Sequence, residues 1–238
     1  MQQIHIITPV KDSIDLTLQT IESVLASQCQ VPIYYTVYND FSTPENSALL
    51  AEASVRMGFE LVNLSTLTDH PSPNYLLVLQ IAQQRAIEAE AGLVIVESDV
   101  VVKPHTLQAL FDGAQQQPNC GIAAAVTVDE QEQINYPYLY AKGKENRVFA
   151  EKRHLSFCCS LLTLPFLKAF DFHQLDPAKN WHDVTISHRS TELGFTNYLF
   201  TSLTVWHRPH SSRPWKLLKY TNPWKYYWLK FTKGLDKI

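Results

Sequence analysis

The feature that most constrains the fold is a continuous apolar run at residues 93–96, followed at once by the carboxylates of Glu97 and Asp99. Such a run is typical of a strand buried on both faces of a parallel sheet, and ligands bind these sheets at the carboxyl ends of their strands. Side chains two residues apart on a strand point to the same side, so both carboxylates can approach one divalent cation. A solvated turn or a helix cap is the alternative interpretation.

Strand-like and helix-like patterns alternate over the first half of the chain. Apolar runs predict further strands at 4–10, 31–38, 59–64 and 121–128. Apolar residues at helical spacing predict helices at 14–25, over 79–89 and from 104, the first with Asp12 or Ser13 as its cap. Thr43-Pro44, an N-cap residue followed by proline, predicts the start of another helix. The alternation predicts an α/β fold with a mostly parallel central sheet and helices on both faces.

Composition indicates one domain with a sizeable core. The 238 residues are 45% hydrophobic, and the net charge of −3 argues against a nucleic-acid partner. The cysteines Cys29, Cys120, Cys158 and Cys159 form no disulfide-like framework and no C-x₂-C zinc spacing. The sequence starts without a basic signal region, and its apolar runs stay well short of the roughly 20 residues of a membrane span. We therefore expect a cytoplasmic protein.

The segment 208–238 differs from the rest because it is aromatic and basic. Its aromatic residues alternate with lysines and arginines, and Asp236 is its only acid. This composition favours the anionic surface of a membrane, which predicts a peripheral position at the inner face of the cell membrane. The alternative is a tail that packs on the domain or across a homodimer interface.

The order of motifs along residues 4–207 resembles the family 2 glycosyltransferases of the GT-A fold. In that family the first strand ends in a proline turn, as Thr8-Pro9 does, and the second ends in an acidic turn, here Asn39-Asp40-Phe41-Ser42-Thr43. The acidic metal motif of the family, usually Asp-x-Asp, corresponds to Glu97-Ser98-Asp99. The resemblance implies a GT-A, Rossmann-like domain at 1–207, with a nucleotide-binding part at about 1–100 and an acceptor part at about 101–207, followed by the tail at 208–238.

Later motifs extend the resemblance. A small-residue apolar segment lies at 157–162, a Glu-Asp-x-Asp-like pattern starts with His182-Asp183 and closes at Gly194, and a strand then ends in His207. The chain departs from the family at Glu97, at His182 and at Phe41, where an Asp, a Glu and a Gly are usual. The Gln-x-x-Arg-Trp signature of processive members is not visible after Asp183, which indicates addition of a single sugar.

The resemblance implies a role for each matched residue in an inverting transfer from a nucleoside-diphosphate sugar, such as a UDP-sugar. The residues expected to bind the nucleotide sugar are Thr8, Pro9, Asp12, Asp40, Glu97, Ser98 and Asp99. Those expected to hold the divalent metal, Mn²⁺ or Mg²⁺, are Glu97, Asp99 and His207. Trp181 and His182 are expected on the acceptor side, with Asp183 as the catalytic base that takes a proton from a saccharide acceptor, free or lipid-linked, in polysaccharide biosynthesis at the cell surface.

Four of these residues also have a purely structural interpretation. Asp12 suits a helix cap, Asp40 an Asx turn, Asp183 a carboxylate at a helix start, and His207 a core histidine beside Trp206. Two other functions stay open for the whole chain. A nucleotidyltransferase would be expected to carry a glycine-rich basic loop after its first strand, and a nucleotide-sugar binding module without activity would result if the departures at Glu97 and His182 disable the site.

Overall fold

The structure, a computed structural model, describes residues 1–208, 218 and 222–233. The first half alternates strands and helices in the order β1 (Ile4–Val10), α1 (Ile14–Leu25), β2 (Ile33–Asn39), α2 (Pro44–Met57), β3 (Glu60–Asn63), α3 (Tyr75–Glu88) and β4 (Gly92–Val96). The second half continues with β5 (Val100–Val101), α4 (Thr106–Gln116), β6 (Cys120–Val128), β7 (Val148–Ala150), β8 (Cys159–Leu162), α5 (Leu164–Ala169), α6 (His182–Glu192), β9 (Thr196–His207) and α7 (Pro223–Thr232).

The starts of α1 and α2 show how local sequence sets these elements. Helix α2 begins as predicted, with Pro44 in its first turn and the Thr43 hydroxyl accepting a hydrogen bond from the backbone of Asn46 at 3.3 Å. Ser13 occupies the N-cap position of α1, as one of the two predicted candidates, but its side chain makes no capping hydrogen bond. The Asp12 carboxylate instead accepts hydrogen bonds from the Thr43 amide at 2.8 Å and from the Asn46 side chain at 3.1 Å, at the start of α2.

The strands form one mixed sheet in the order β3-β2-β1-β4-β8-β6-β9-β5, with β7 added beside β9. The pairs among β1, β2, β3 and β4 are parallel, as the alternation predicted. Strand β8 is antiparallel to both of its neighbours, and it sets Cys159 opposite Val96. The start of β8 therefore lies beside the carboxyl end of β4, where the acidic residues begin.

Helices cover both faces of the sheet, which confirms the predicted layering. One apolar cluster joins one face to α1, α2 and α4, and the other joins the opposite face to α3, α5 and α6. Neighbouring residues of β1 show the division, because Ile6 belongs to the first cluster and Ile7 to the second. The core therefore fixes the sheet from both sides and leaves its carboxyl edge to polar side chains.

The described part of the C-terminal segment is dominated by α7. Its start is set by Pro223 in the first turn and by the Asn222 side chain, which accepts a hydrogen bond from the Lys225 backbone at 3.1 Å. Trp215 and Tyr220 of the predicted tail lie outside the described residues. Among the helices of the described residues, none combines the length and the apolar character that a membrane crossing requires.

Candidate functional site

A tight turn after β4 carries the predicted acidic pair. The Val100 amide donates to the carbonyl of Glu97 at 3.1 Å, and the Glu97 amide donates to the carbonyl of Cys158 at 3.0 Å. Strand β5 then pairs with the end of β9, so that Val100 lies opposite His207. The structure thus brings Glu97, Asp99 and His207 together, with the His207 Nε2 3.5 Å from an Asp99 carboxylate oxygen.

Backbone contacts fix the orientation of His207, which is buried. Its Nδ1 lies 2.7 Å from the carbonyl oxygen of Tyr136, and the Asn135 side chain donates to the carbonyl of His207 at 3.0 Å. Because a carbonyl can only accept, Nδ1 carries the proton and Nε2 faces Asp99. Burial alone would lower the pKa of His207, but the hydrogen bond and charge of Asp99, together with the charge of Glu97, raise it above the usual value.

Cys158 is a member of this cluster that the sequence did not predict as a ligand. Its thiol donates to a Glu97 carboxylate oxygen at 3.2 Å, and its sulfur lies 3.3 Å from the Ser156 hydroxyl. The potential ligand atoms of Glu97, Cys158 and His207 all lie within 4.8 Å of one another. Sequence spacing does not indicate this role, because the position of Cys158 beside Glu97 depends on the antiparallel insertion of β8.

The cluster carries a surplus of negative charge. Burial, with the charge of Asp99 and a smaller contribution from Asp183, raises the pKa of Glu97 to about 7, while His207 acts in the opposite direction. Carboxylates that raise one another's pKa values in a confined space are a favourable environment for a cation. The donors offered are carboxylate oxygens, an imidazole nitrogen and a sulfur, all of them groups that hold divalent metals in proteins. The residues present therefore suit a divalent metal.

Asp183 lies in the first turn of α6, where its carboxylate accepts a hydrogen bond from the Val184 amide at 2.9 Å. Its charge contributes to the raised pKa values of both Glu97 and Tyr75, so it belongs to the same electrostatic neighbourhood as the predicted metal ligands. A helix start also favours the ionised form of a carboxylate, as a general base requires. The predicted base and the predicted metal site are therefore neighbours.

The two predicted acceptor-side residues precede Asp183. His182 is buried, and its ring centroid lies 6.2 Å from that of Tyr75. Burial lowers the pKa of His182, so the ring is held in its neutral form. Trp181 is contacted from α7, because the ammonium of Lys230 lies 5.9 Å from the centre of its ring. The start of α6 is thus the place where the C-terminal helix approaches the candidate site.

Tyr75, at the start of α3, is a second residue that the sequence analysis missed. Its hydroxyl is buried and has no hydrogen-bond partner among the described residues. Burial and the nearby charges of Glu97, Asp183 and Cys158 raise its pKa well above the usual value. A buried hydroxyl without a partner, surrounded by these groups, can donate a hydrogen bond to a bound molecule.

On the nucleotide side, Asp40 follows the end of β2 and is buried. Its carboxylate accepts hydrogen bonds from the Ser72 hydroxyl at 2.7 Å, from the Asn74 amide at 2.9 Å and from the Asn74 side chain at 2.8 Å. Asp40 therefore holds the loop before α3 against the carboxyl edge of the sheet. Its contact with a nucleotide base stays a prediction.

The other predicted nucleotide residues are distributed between the core and this edge. Thr8 is fully buried, and its hydroxyl lies 2.9 Å from the hydroxyl of Tyr35, while the next residue, Pro9, is half-buried. Asp12 contacts the start of α2, as described above, and Ser98 is half-buried in the acidic turn. These placements show how Thr8 and Asp12 support the fold, and their part in nucleotide binding stays a prediction.

Solved structures share this architecture. TarS 1-349 of S. aureus aligns with a TM-score of 0.64 and 13% identity, over 86% of this chain and 60% of that one. GalNAc-T7 with UDP, GalNAc and Mn²⁺ aligns with a TM-score of 0.63 and 10% identity, over 89% of this chain and 45% of that one. The mannosyltransferase PcManGT from Pyrobaculum calidifontis, in complex with GDP-Man and Mn²⁺, aligns with a TM-score of 0.60 and 12% identity, over 90% of this chain and 59% of that one.

These likenesses confirm the GT-A fold that the sequence led us to expect, since each covers most of this chain. At identities of 10–13% they concern the fold alone. The chain spans between 45% and 60% of the length of the three structures. No protein-family model matches the chain, and a comparison with curated proteins finds no relative.

Proposed function

We propose that this protein transfers a sugar from a nucleoside-diphosphate sugar to a saccharide acceptor by metal-assisted inverting displacement. The observation that carries the proposal is the convergence of Glu97, Asp99, His207 and Asp183 at the carboxyl edge of a GT-A sheet. The UDP, GDP-Man and Mn²⁺ bound in the similar structures support a nucleotide-sugar donor and a divalent metal.

Glu97, Asp99 and His207 would hold the divalent cation. When bound, the cation neutralises charge on the departing diphosphate as a Lewis acid. The protein prepares this site by fixing the ring of His207 through Tyr136 and by fixing the acidic turn through the β5–β9 pairing. Such fixed ligands need little rearrangement when the cation and the donor bind, which favours catalysis.

Asp183 would act on the acceptor. In an inverting displacement the acceptor hydroxyl attacks the anomeric carbon on the face opposite the leaving group, and a carboxylate takes the proton as the bond forms. The amide of Val184 donates to one carboxylate oxygen of Asp183 and so helps to orient this side chain. The hydroxyl of Tyr75 lies close enough to the same charges to help position a bound sugar.

The first test measures slow hydrolysis of a panel of nucleotide sugars in the presence of Mn²⁺, without an acceptor. We expect hydrolysis of one or a few donors, lost on chelation of the metal. In titration calorimetry, Asp99→Ala should weaken metal-dependent binding of the nucleoside diphosphate by about 100-fold, whereas Ser98→Ala should have a small effect. Equal nucleotide affinity in the parent and in Asp99→Ala would contradict the metal assignment, and transfer of a nucleotidyl group would favour the alternative enzyme class.

The acceptor side of the proposal rests on α7. Its large aromatic residues at positions i, i+3, i+4 and i+7 are exposed: Trp224, Tyr227, Trp228 and Phe231, the first and last at 89% and 91%. On the other side of the helix, Tyr226 is buried. Because Lys225 and Lys230 lie on either side of this stripe, its charge complements anionic lipid headgroups, to which each lysine contributes roughly 1 kcal/mol.

We therefore propose that α7 docks on the anionic surface at the inner face of the cell membrane and that the acceptor is lipid-linked, in assembly of a cell-surface glycan. The contact between Lys230 and Trp181 supports this, since it ties the helix to the start of α6, two residues from Asp183. A membrane held by the aromatic stripe would then lie near the predicted base. A lipid-linked saccharide would reach the site without leaving the bilayer.

Flotation with vesicles tests the docking. The parent should float with vesicles that contain an anionic lipid and much less with purely zwitterionic ones. Trp224→Glu combined with Phe231→Glu should abolish flotation and leave donor hydrolysis unchanged. The matched control is Val55→Glu, an equally exposed apolar position on α2, at 88%, which should float like the parent. Unchanged flotation of the double variant contradicts the proposal, and its conversion from dimer to monomer would favour a dimer interface instead.

A further inference from the structure

Cys158 adds a sulfur to a site that otherwise offers oxygen and nitrogen. Its Sγ lies 3.2 Å from a Glu97 carboxylate oxygen, and the ligand atoms of Glu97, Cys158 and His207 lie within 4.8 Å of one another. The antiparallel pairing of β8 with β4 fixes this position, because Val96 pairs with Cys159 and the Glu97 amide bonds the Cys158 carbonyl at 3.0 Å. The sulfur is thus held at the acidic turn by backbone contacts.

We infer that the site binds a thiophilic divalent cation, of the Zn²⁺ or Co²⁺ kind, through the sulfur of Cys158 together with Glu97 and His207, and prefers it to Mg²⁺. Thiolate and imidazole ligands select such ions, whereas Mg²⁺ takes oxygen ligands almost exclusively. The inference rests on the proposed function only in placing a divalent cation among these residues. It concerns which cation the protein selects.

The spacing of the donors suits this kind of ion. Zinc is bound by sulfur at about 2.3 Å and by nitrogen or oxygen at about 2.0–2.2 Å, usually with four ligands in a tetrahedron. Ligand atoms around one such ion lie roughly 3–4 Å from one another by this geometry, close to the 3.2 Å between Cys158 and Glu97. As the metal–sulfur bond forms, the thiol proton passes to solvent, and the fourth position is available to Asp99 or to a donor oxygen.

The alternative is that Cys158 is only a buried thiol, held by its hydrogen bonds to Glu97 and Ser156. Titration of the full-length protein with Co²⁺ distinguishes the two, since a cobalt–thiolate bond gives an intense charge-transfer absorption in the near ultraviolet that oxygen and nitrogen ligands do not give. We expect this band in the parent, its loss on addition of Zn²⁺, and its persistence in a large excess of Mg²⁺.

Four variants complete the test. Cys158→Ala and Cys158→Ser should lose the band and bind Zn²⁺ at least 10–100-fold more weakly, while their affinity for Mn²⁺ changes little. The matched controls are Cys159→Ala, the next residue, which is fully buried, and Cys29→Ala, a half-buried thiol elsewhere, and both should keep the band. Thermal unfolding confirms that each variant is folded.

A parent without the band, or equal Zn²⁺ affinity in Cys158→Ala and Cys159→Ala, would overturn the inference. Loss of the band in Cys29→Ala would overturn it as well, since the cobalt would then be bound elsewhere. None of these measurements involves sugar transfer. A negative result in these measurements therefore does not bear on the proposed function, which has its own assay. Conversely, a protein that binds Zn²⁺ through Cys158 but transfers no sugar would support this inference and contradict the proposed function.

Discussion

Two polar clusters on the same sheet handle charge in opposite ways. Toward the amino ends of the strands, the Nε2 of His5 lies 3.1 Å from the Thr36 hydroxyl, which donates to Glu60 at 2.7 Å, and Arg85 pairs with Glu60 at 2.7 Å. Although burial acts the other way, the hydrogen bonds of Thr36 and Arg85 lower the pKa of Glu60. This amino-edge cluster neutralises its own carboxylate within the protein.

The carboxyl-edge cluster, in contrast, leaves part of the charge of its carboxylates uncompensated. Glu97, Asp99 and Asp183 share one neighbourhood, and the pKa of Glu97 is raised to about 7. Buried like charges cost stability unless something compensates them, and proteins retain them mainly where a ligand or a reaction uses the charge. The difference teaches that polarity alone does not identify a site. The cluster whose charge is unbalanced is the one that we propose to bind a cation.

The largest effect should come from removing the base. Asp183→Asn keeps the shape of the side chain and its helix-start position, so donor and metal affinity should stay near those of the parent. Sugar transfer should fall by about 10²–10⁴-fold, mostly in the turnover number, because no carboxylate is left to accept the proton of the acceptor hydroxyl. Steady-state kinetics with an identified acceptor, beside calorimetry of donor binding, measures both quantities.

The control for this variant is Asp171→Asn, an exposed carboxylate that caps the short turn at 172–174 and should leave transfer unchanged. Transfer at the parent rate in Asp183→Asn would make Asp183 a helix-start residue and place the base elsewhere. Loss of donor binding together with transfer would assign Asp183 to the nucleotide site or to the fold.

The two clusters should give opposite pH dependences of stability. Burial, with the charge of Arg85, lowers the pKa of His5 from 6.5 to about 4, so the unfolded chain binds its proton first and stability is lost as the pH falls from 6.5 to 4. The pKa of Glu97 is raised from 4.5 to about 7, so the folded chain keeps that proton longer and stability is lost as the pH rises from 4.5 to 7. Each group changes the free energy of unfolding by about 3 kcal/mol over its pH range, and in the parent the two changes have opposite signs.

Single variants should therefore separate the two pH-dependent contributions to stability, which oppose each other in the parent. In the presence of a chelator, Glu97→Gln should leave the rise of stability between pH 4 and 6.5 that comes from His5. His5→Gln should leave the fall between pH 4.5 and 7 that comes from Glu97. Denaturant unfolding across this pH range measures both slopes relative to the parent, and slopes of the same sign in the two variants would contradict the comparison.

The smallest effect concerns the hydroxyl of Tyr75. Tyr75→Phe keeps the ring beside His182 and removes a buried hydroxyl without a described partner, so stability should be unchanged or slightly higher. Transfer should fall by about tenfold if the hydroxyl donates to the bound sugar or diphosphate. The control is Tyr198→Phe, whose hydroxyl donates to the Pro118 carbonyl at 3.0 Å, and which should lose about 1 kcal/mol of stability without loss of transfer. The reverse pattern would make Tyr75 a packing residue.

Much of the fold was predictable because its strands are buried on both faces. The predicted strands at 4–10 and 121–128 match β1 and β6 almost residue for residue. Helices α1 and α3 follow from apolar spacing, and the start of α2 follows from Thr43-Pro44. The short strands β5 and β7 were not predicted, since two or three residues leave no periodic pattern. Their pairing with β9 depends on residues distant in sequence.

Some residues of the candidate site could likewise be predicted from the sequence, and others could not. Glu97 and Asp99 were found because both follow one apolar run, and Asp183 and His207 were suggested by a resemblance of motifs. Cys158 and Tyr75 were missed because their place in the site depends on how β8 and the start of α3 approach the acidic turn. A single sequence carries no local signal of that approach, since a buried cysteine or tyrosine is most often a core residue.

The pairing of β5 with β9 has a consequence for the synthesis of the protein. Asp99 and His207 meet only when β9 reaches the short β5, so the two halves of the candidate site close a long loop. A chain that emerges from the ribosome can form the parallel strands β1 to β4 early, yet it exposes its acidic turn until residue 207 has followed. The candidate site is therefore completed late in synthesis, and premature termination before β9 would yield a chain in which Asp99 lacks His207.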